Sequence, residues 1–173
     1  MITSQDIVKK LNLKPLPGEG GFYYETYRSE TDVPSRLLGL DGKDTRHVST
    51  AIYYLVTPES FSALHRVKSD EIFHFYAGDP VEMIQIDPNG NILRITIGSD
   101  IMNGEQPQVL VPKGSWQALK LRDGGSWSLM GTTVSPGFEF EDFELGSRDE
   151  LLNTFPQLRE DIIRYTREDK ASE

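Results

Sequence analysis

Between residues 50 and 143 the chain is cut into nine short runs rich in β-branched and aromatic residues, most of them bounded by Gly, Pro, Asn, Asp or Ser. Runs of that length and punctuation form strands, and no helix of crossover length separates them. An all-β sandwich or barrel is therefore expected, and a parallel α/β sheet is not. The runs are 50–56, 60–66, 71–76, 81–86, 92–97, 108–111, 117–121, 126–133 and 138–143. Asp87-Pro88-Asn89-Gly90 and Asp123-Gly124-Gly125 stand between runs as hairpin turns.

Helical periodicity is confined to the two ends. Thr3 and Asp6 have capping-box spacing ahead of Ile7, Val8 and Leu11, which predicts a helix over about 4–12 that Pro15 closes. Ser147 and Glu150 repeat the spacing ahead of Leu151, Leu152, Phe155, Leu158, Ile162 and Ile163. Pro156 splits that segment, about 147–166, into two short helices. The polar stretch from Ser29 to Thr45 reads as a flexible loop, and the residues from Arg167 as a charged tail. A length of 173 residues without an internal repeat fits one domain over 1–173, with its barrel over about 20–145.

Eighteen basic residues against 27 acidic ones give a net charge of −9, which opposes binding to nucleic-acid polymers and to anionic membranes. The absence of cysteine excludes disulfides, thiolate metal sites and a cysteine nucleophile. No apolar run approaches the length of a spanning helix, and the first residues lack a signal-peptide pattern. A cytoplasmic location is the expectation.

The densest polar cluster is Leu64-His65-Arg66-Val67-Lys68-Ser69-Asp70-Glu71-Ile72-Phe73-His74-Phe75-Tyr76-Ala77-Gly78, which holds two of the three histidines. It resembles the first signature of the cupins, G(x)5-H-x-H-(x)3,4-E-(x)6-G, with His65 at the first histidine, Glu71 at the glutamate and Gly78 at the closing glycine. Pro112-Lys113-Gly114-Ser115-Trp116-Gln117 is similar to part of the second signature. The segments from Gly18 to Ser29 and from Val134 to Leu145 resemble one subgroup, DUF985 or cupin-5. The resemblance covers about residues 4–165. It implies a double-stranded β-helix, an RmlC-like jelly roll, that forms a homodimer and holds a small molecule in its barrel.

The departures from those signatures bear on chemistry. Val67 stands at the second histidine, Gln117 at the third, and Glu59 and Leu121 at the flanking glycine and asparagine. A cupin metal site needs three imidazoles and a carboxylate, so no metal or other cofactor is expected. If a metal were present, His65, Glu71, Gln117 and His74 would be its ligands. Residues three apart on a regular strand face opposite ways, so His74 is expected on the sheet surface, away from Glu71, held by a neighbour. His47 reads as a surface residue.

The resemblance makes His65 a candidate base oriented by Glu71, with Tyr53 or Tyr76 as acid, in an isomerase- or epimerase-like reaction. Gln117 would join them at the barrel floor, with Tyr53, Phe73, Phe75 and Trp116 along the walls. Arg28, Arg66, Lys68 and Lys113 would converge at the mouth as an anion site for a sugar phosphate, nucleotide or nucleotide sugar. Each has a plainer alternative: a structural histidine, core phenylalanines, solvated bases. Two other functions stay open, a metal-dependent dioxygenase, decarboxylase or isomerase and a non-enzymatic dimer of storage type. Alternation of aromatic and acidic residues from Ser135 to Phe143 predicts an edge strand available to a partner subunit.

Overall fold

The computed structural model describes residues 2–40 and 44–167. Thirteen strands are found among them: β1 (Lys14–Pro15), β2 (Phe22–Arg28), β3 (Asp32–Pro34), β4 (Thr45–His47), β5 (Thr50–Val56), β6 (Ser62–Val67), β7 (Asp70–Gly78), β8 (Val81–Ile86), β9 (Ile92–Ile97), β10 (Gln108–Val111), β11 (Trp116–Leu121), β12 (Ser128–Ser135) and β13 (Phe143–Leu145). Four helices accompany them: α1 (Ser4–Lys10), α2 (Ser35–Leu38), α3 (Arg148–Thr154) and α4 (Arg159–Tyr165).

Two antiparallel sheets face each other, one ordered β1-β2-β5-β12-β7-β10 and the other β13-β6-β11-β8-β9. Strands distant in sequence lie side by side, which is the jelly-roll wrapping. Alternation along each strand then sorts side chains to either face. In β11, Leu119 and Leu121 point between the sheets, where they meet Tyr54, Phe73, Met83 and Met130. Trp116 and Ala118 point the other way, joining Leu64, Ile84 and Ile86 under Leu151, Phe155, Leu158 and Ile162 of the C-terminal helices. On the far side, Ile7 and Leu13 cover Leu55 of the larger sheet.

The capping box at Thr3 forms in full, yet α1 ends at Lys10 rather than near residue 12. Asn12 takes a left-handed conformation, φ 55°, and turns the chain before Pro15 can act. At the other end Ser147 caps α3 by accepting from the Glu150 amide, and Pro156 opens a 3-10 turn between α3 and α4.

Two further expectations need correction. The stretch after Ser29 is an ordered arm in which β3 and β4 pair as a ribbon beside α2 and bury Arg46. Residues 41–43 of that stretch, and the tail beyond Arg167, lie outside the described residues. The segment 138–143 is not one strand: Phe140–Asp142 form a 3-10 turn, and only Phe143 onward pairs, with β6. Its acids are not a solvated row, because Glu139 binds Arg28 while Glu141 and Asp142 bind the buried Arg46. Two arginines thus fold the segment into a loop over the end of the barrel.

Candidate functional site: a cavity between the sheets

Between the sheets, at the end covered by that loop, lies a cavity of about 610 Å³. Its volume falls within the range of small-molecule sites. Ile52, Tyr54, Phe73, Phe138 and Phe143 form much of its wall, and His65, Glu71 and Glu19 carry its inner polar atoms.

Strand irregularities decide which polar residues face inward. In β6, Gln117 of β11 lies opposite His65 but Leu119 lies opposite Ser62, so one extra residue is accommodated between them. That bulge turns Ser62 and His65, three positions apart, to the same side. A second shift, where Glu25 opposes Ile52 but Tyr27 opposes Ala51, does the same for Glu25 and Arg28 in β2. Both of these line the cavity, and Arg28 binds Glu25 at 2.8 Å and Glu139 at 3.0 Å.

His65 is buried, and its ring stacks on Phe143 with centroids 5.3 Å apart. Its Nδ1 lies 2.8 Å from the Ala63 carbonyl. A carbonyl only accepts, so Nδ1 carries a proton, and in the neutral ring Nε2 is left with its lone pair. Nε2 sits 3.8 Å from Glu19 Oε2, beyond hydrogen-bond distance. Glu71 is buried beside it and accepts from Gln117 Nε2 at 2.6 Å. Burial pushes the Glu71 carboxyl above the usual carboxylate range, with nearby Glu19 adding to the rise, while the neighbouring His65 and the bonds from Gln117 and Thr132 oppose it. Tyr54 donates to the Gly20 carbonyl at 2.9 Å, and burial raises its phenol well above the ordinary tyrosine value.

Glu19 was not among the expected site residues. It comes from the loop between β1 and β2, where Ser62 Oγ donates to its Oε1 at 2.8 Å. Arg167 Nη1 donates to its carbonyl at 2.7 Å, so the end of the C-terminal segment pins the loop that carries it. Gly20 and Gly21 both have positive φ, and a Cβ on Gly21 would stand 2.7 Å from the Tyr54 ring. Glycine there lets the loop press on Tyr54 and aim Glu19 inward. The run Gly18-Glu19-Gly20-Gly21 was the one available signal in the sequence.

Of the other expected residues, Phe73 lines the cavity, and Gln117 lies buried behind Glu71. Phe75 is half-buried against the core between the sheets, outside the cavity wall. Tyr53 and Tyr76 pack edge to face, 6.2 Å apart, with Tyr76 exposed on the outer surface; strand parity turns Tyr54 inward instead. Trp116 belongs to the seam under the C-terminal helices. Arg66 lies over Trp116 and forks onto Glu144, Lys68 is half-exposed 3.9 Å from Asp142, and Lys113 is exposed. The four bases do not converge, and only Arg28 reaches the cavity. His74 faces outward, bonded to Thr133 and Gln108, and His47 is partly exposed beside Asp32.

A family model described as the cupin superfamily (DUF985) matches residues 5–146. The chain belongs to this DUF985 family of cupins. An uncharacterized protein of Saccharomyces cerevisiae is 34% identical over 142 residues, which is 77% of this chain and 71% of that protein. Among solved structures, a hypothetical protein from Leishmania major is 35% identical with a TM-score of 0.87, covering 96% of this chain and all of its own. A Shewanella oneidensis protein is 36% identical with a TM-score of 0.86, covering 98% and 100%. Oxalate decarboxylase from Bacillus subtilis, at 14% identity and a TM-score of 0.55 over 92% of this chain and 38% of that one, shares the fold.

The donor set of this DUF985 chain departs from the three imidazoles and one carboxylate of a cupin metal site. Val67 lines the cavity two residues from His65, so the second ligand position faces inward but carries an aliphatic group. Gln117, at the third, offers an amide that is already bonded to Glu71. Among the described residues no three His, Asp or Glu side chains are gathered to hold a metal ion. The residues present do not fit a three-imidazole site. Among the described residues no helix is long and apolar enough to cross a membrane.

Proposed function

We propose that the protein binds a small carbonyl compound in this cavity and moves a proton on it, an isomerase-type reaction that needs no bound metal. The observation that carries the reading is the orientation of His65: Nδ1 is fixed on the Ala63 carbonyl, which leaves Nε2 on the side of the Glu19 carboxyl group at the floor. Nε2 takes a proton from the carbon next to the carbonyl. Glu71, held protonated to higher pH by burial, donates a hydrogen bond to the carbonyl oxygen as charge builds there. On a 2-hydroxy carbonyl, Glu71 gives its proton to the carbonyl oxygen and takes the one leaving the hydroxyl, while Nε2 returns the carbon proton to the former carbonyl carbon on the same face, which completes the transfer with no net oxidation.

A sugar phosphate or nucleotide finds little in the cavity to hold it. Three of the four bases that would have served it lie outside the cavity, and Arg28 is already shared by two carboxylates.

The test is hydrogen exchange in D2O, with chelator present, over a panel of aldoses, ketoses and aryl ketones followed by NMR. Incorporation of deuterium next to the carbonyl of at least one compound is expected, with loss of that signal in His65→Asn. Exchange that persists in the variant, or a silent panel, overturns the reading.

A further inference from the structure

We infer that the cavity selects a small organic ammonium ion, a protonated amine on an apolar body, over a neutral or anionic compound of the same shape. This rests on the reading of the cavity as a small-molecule site.

Four carboxyl groups line the cavity, Glu19, Glu25, Glu71 and Glu139, against a single arginine. Arg28 spends its guanidinium on Glu25, Glu139 and the Phe138 carbonyl, so the mouth carries no uncommitted positive charge for an entering anion. At the floor, Glu19 keeps Oε2 at 3.8 Å from the nearest imidazole nitrogen, while its other oxygen accepts from Ser62. The cavity that it lines is also walled by Tyr54, Phe73, Phe138 and Phe143.

Carboxylate beside aromatic faces is the pairing that recognises ammonium groups: the rings present negative π-faces to the cation, and the carboxylate supplies the countercharge in a site that excludes water. The same arrangement repels an anion, because a phosphate would have to displace Glu25 or Glu139 from Arg28 while approaching Glu19 on the floor. The net charge of −9 acts in the same direction at longer range, drawing cations toward the mouth. A bound ammonium on Glu19 also leaves His65 Nε2 and Glu71 for the carbonyl end of the molecule, so the two readings use different atoms of one floor.

The experiment is calorimetric titration of the full chain with cyclohexylammonium, cyclohexanol and cyclohexyl phosphate, which share one apolar body and differ in charge. The ammonium is expected to bind at least tenfold more tightly than either of the others. Glu19→Gln, which keeps the acceptor for Ser62, lowers that affinity about tenfold, and Glu160→Gln on the exposed face of α4, the same change in net charge, leaves it unaltered. If Glu19→Gln unfolds, the order of the three affinities on the parent protein decides. Equal or tighter binding of the alcohol or the phosphate overturns the charge assignment and leaves the small-molecule reading intact. Failure of all three probes to bind, or equal losses in Glu19→Gln and Glu160→Gln, also overturns it, whereas deuterium exchange decides separately on proton transfer.

Discussion

Two buried regions share the strands of the smaller sheet and differ in almost everything else. Leu64 and His65 are neighbours in β6, and Trp116 and Gln117 are neighbours in β11. The first of each pair enters the seam under α3 and α4, and the second turns toward the space between the sheets. The seam is closed with aliphatic and aromatic side chains. The space between the sheets keeps a cavity of about 610 Å³ and puts an imidazole and carboxyl groups into it. Close packing is what a core needs for stability, so a chain that fills one side of a sheet and leaves polar groups around a void on the other has divided stability from chemistry along a strand's parity.

Breaking the seam should have the largest effect. Ile162 is fully buried there, and Ile162→Ala is expected to cost about 2 to 5 kcal/mol, because the methylenes are lost and the helix cannot collapse into the gap. Urea denaturation measures it, and a loss below about 0.5 kcal/mol would mean the helices are appended rather than structural.

A smaller effect, of opposite sign, is expected at the cavity. Burial raises the Glu71 carboxyl, so the native state holds this proton more tightly than the unfolded chain does. Its contribution is fully present below the ordinary carboxylate range and is lost as pH rises through the raised value. Glu71→Gln removes that loss: the variant should match the parent in stability at acid pH and exceed it increasingly toward neutrality. Melting curves from pH 4 to 8 that stay parallel would contradict this.

The smallest effect belongs to the outer surface. Arg66 bridges Glu144 with both side chains substantially exposed, and Arg66→Ala should cost under about 1 kcal/mol, including its contact over Trp116. It should leave ligand binding untouched, because Arg66 does not line the cavity. A change in binding would restore the idea of a basic mouth.

What could be read in advance follows the same division. The runs 50–56, 81–86, 92–97 and 108–111 coincide with β5, β8, β9 and β10, because alternation bounded by turn residues is a local property. The strand β2, rich in tyrosine, escaped that reading. Facing is not local in the same way. Tyr53 and Tyr54 are equally plausible inside a strand of mixed pattern, and only pairing with β12 and β2 sends Tyr54 to the cavity. The bulges that bring Ser62 beside His65 and Glu25 beside Arg28 leave no mark in composition. Glu19 arrives from 46 residues before His65 on a glycine-rich loop, and Arg167 fastens it from the other end of the chain. Arg66, Lys68 and Lys113 were close to the right residues in sequence and on the wrong side of the strand or outside it.

The most direct measurement pairs two numbers from one protein, the unfolding free energy and the deuterium-exchange rate of His65→Asn. The account predicts stability within about 1 kcal/mol of the parent, since one hydrogen bond to Ala63 is exchanged for another, together with exchange reduced to background. A loss of several kcal/mol, comparable to that of Ile162→Ala, with exchange at the parent rate would make His65 part of the core and contradict the division on which the account stands.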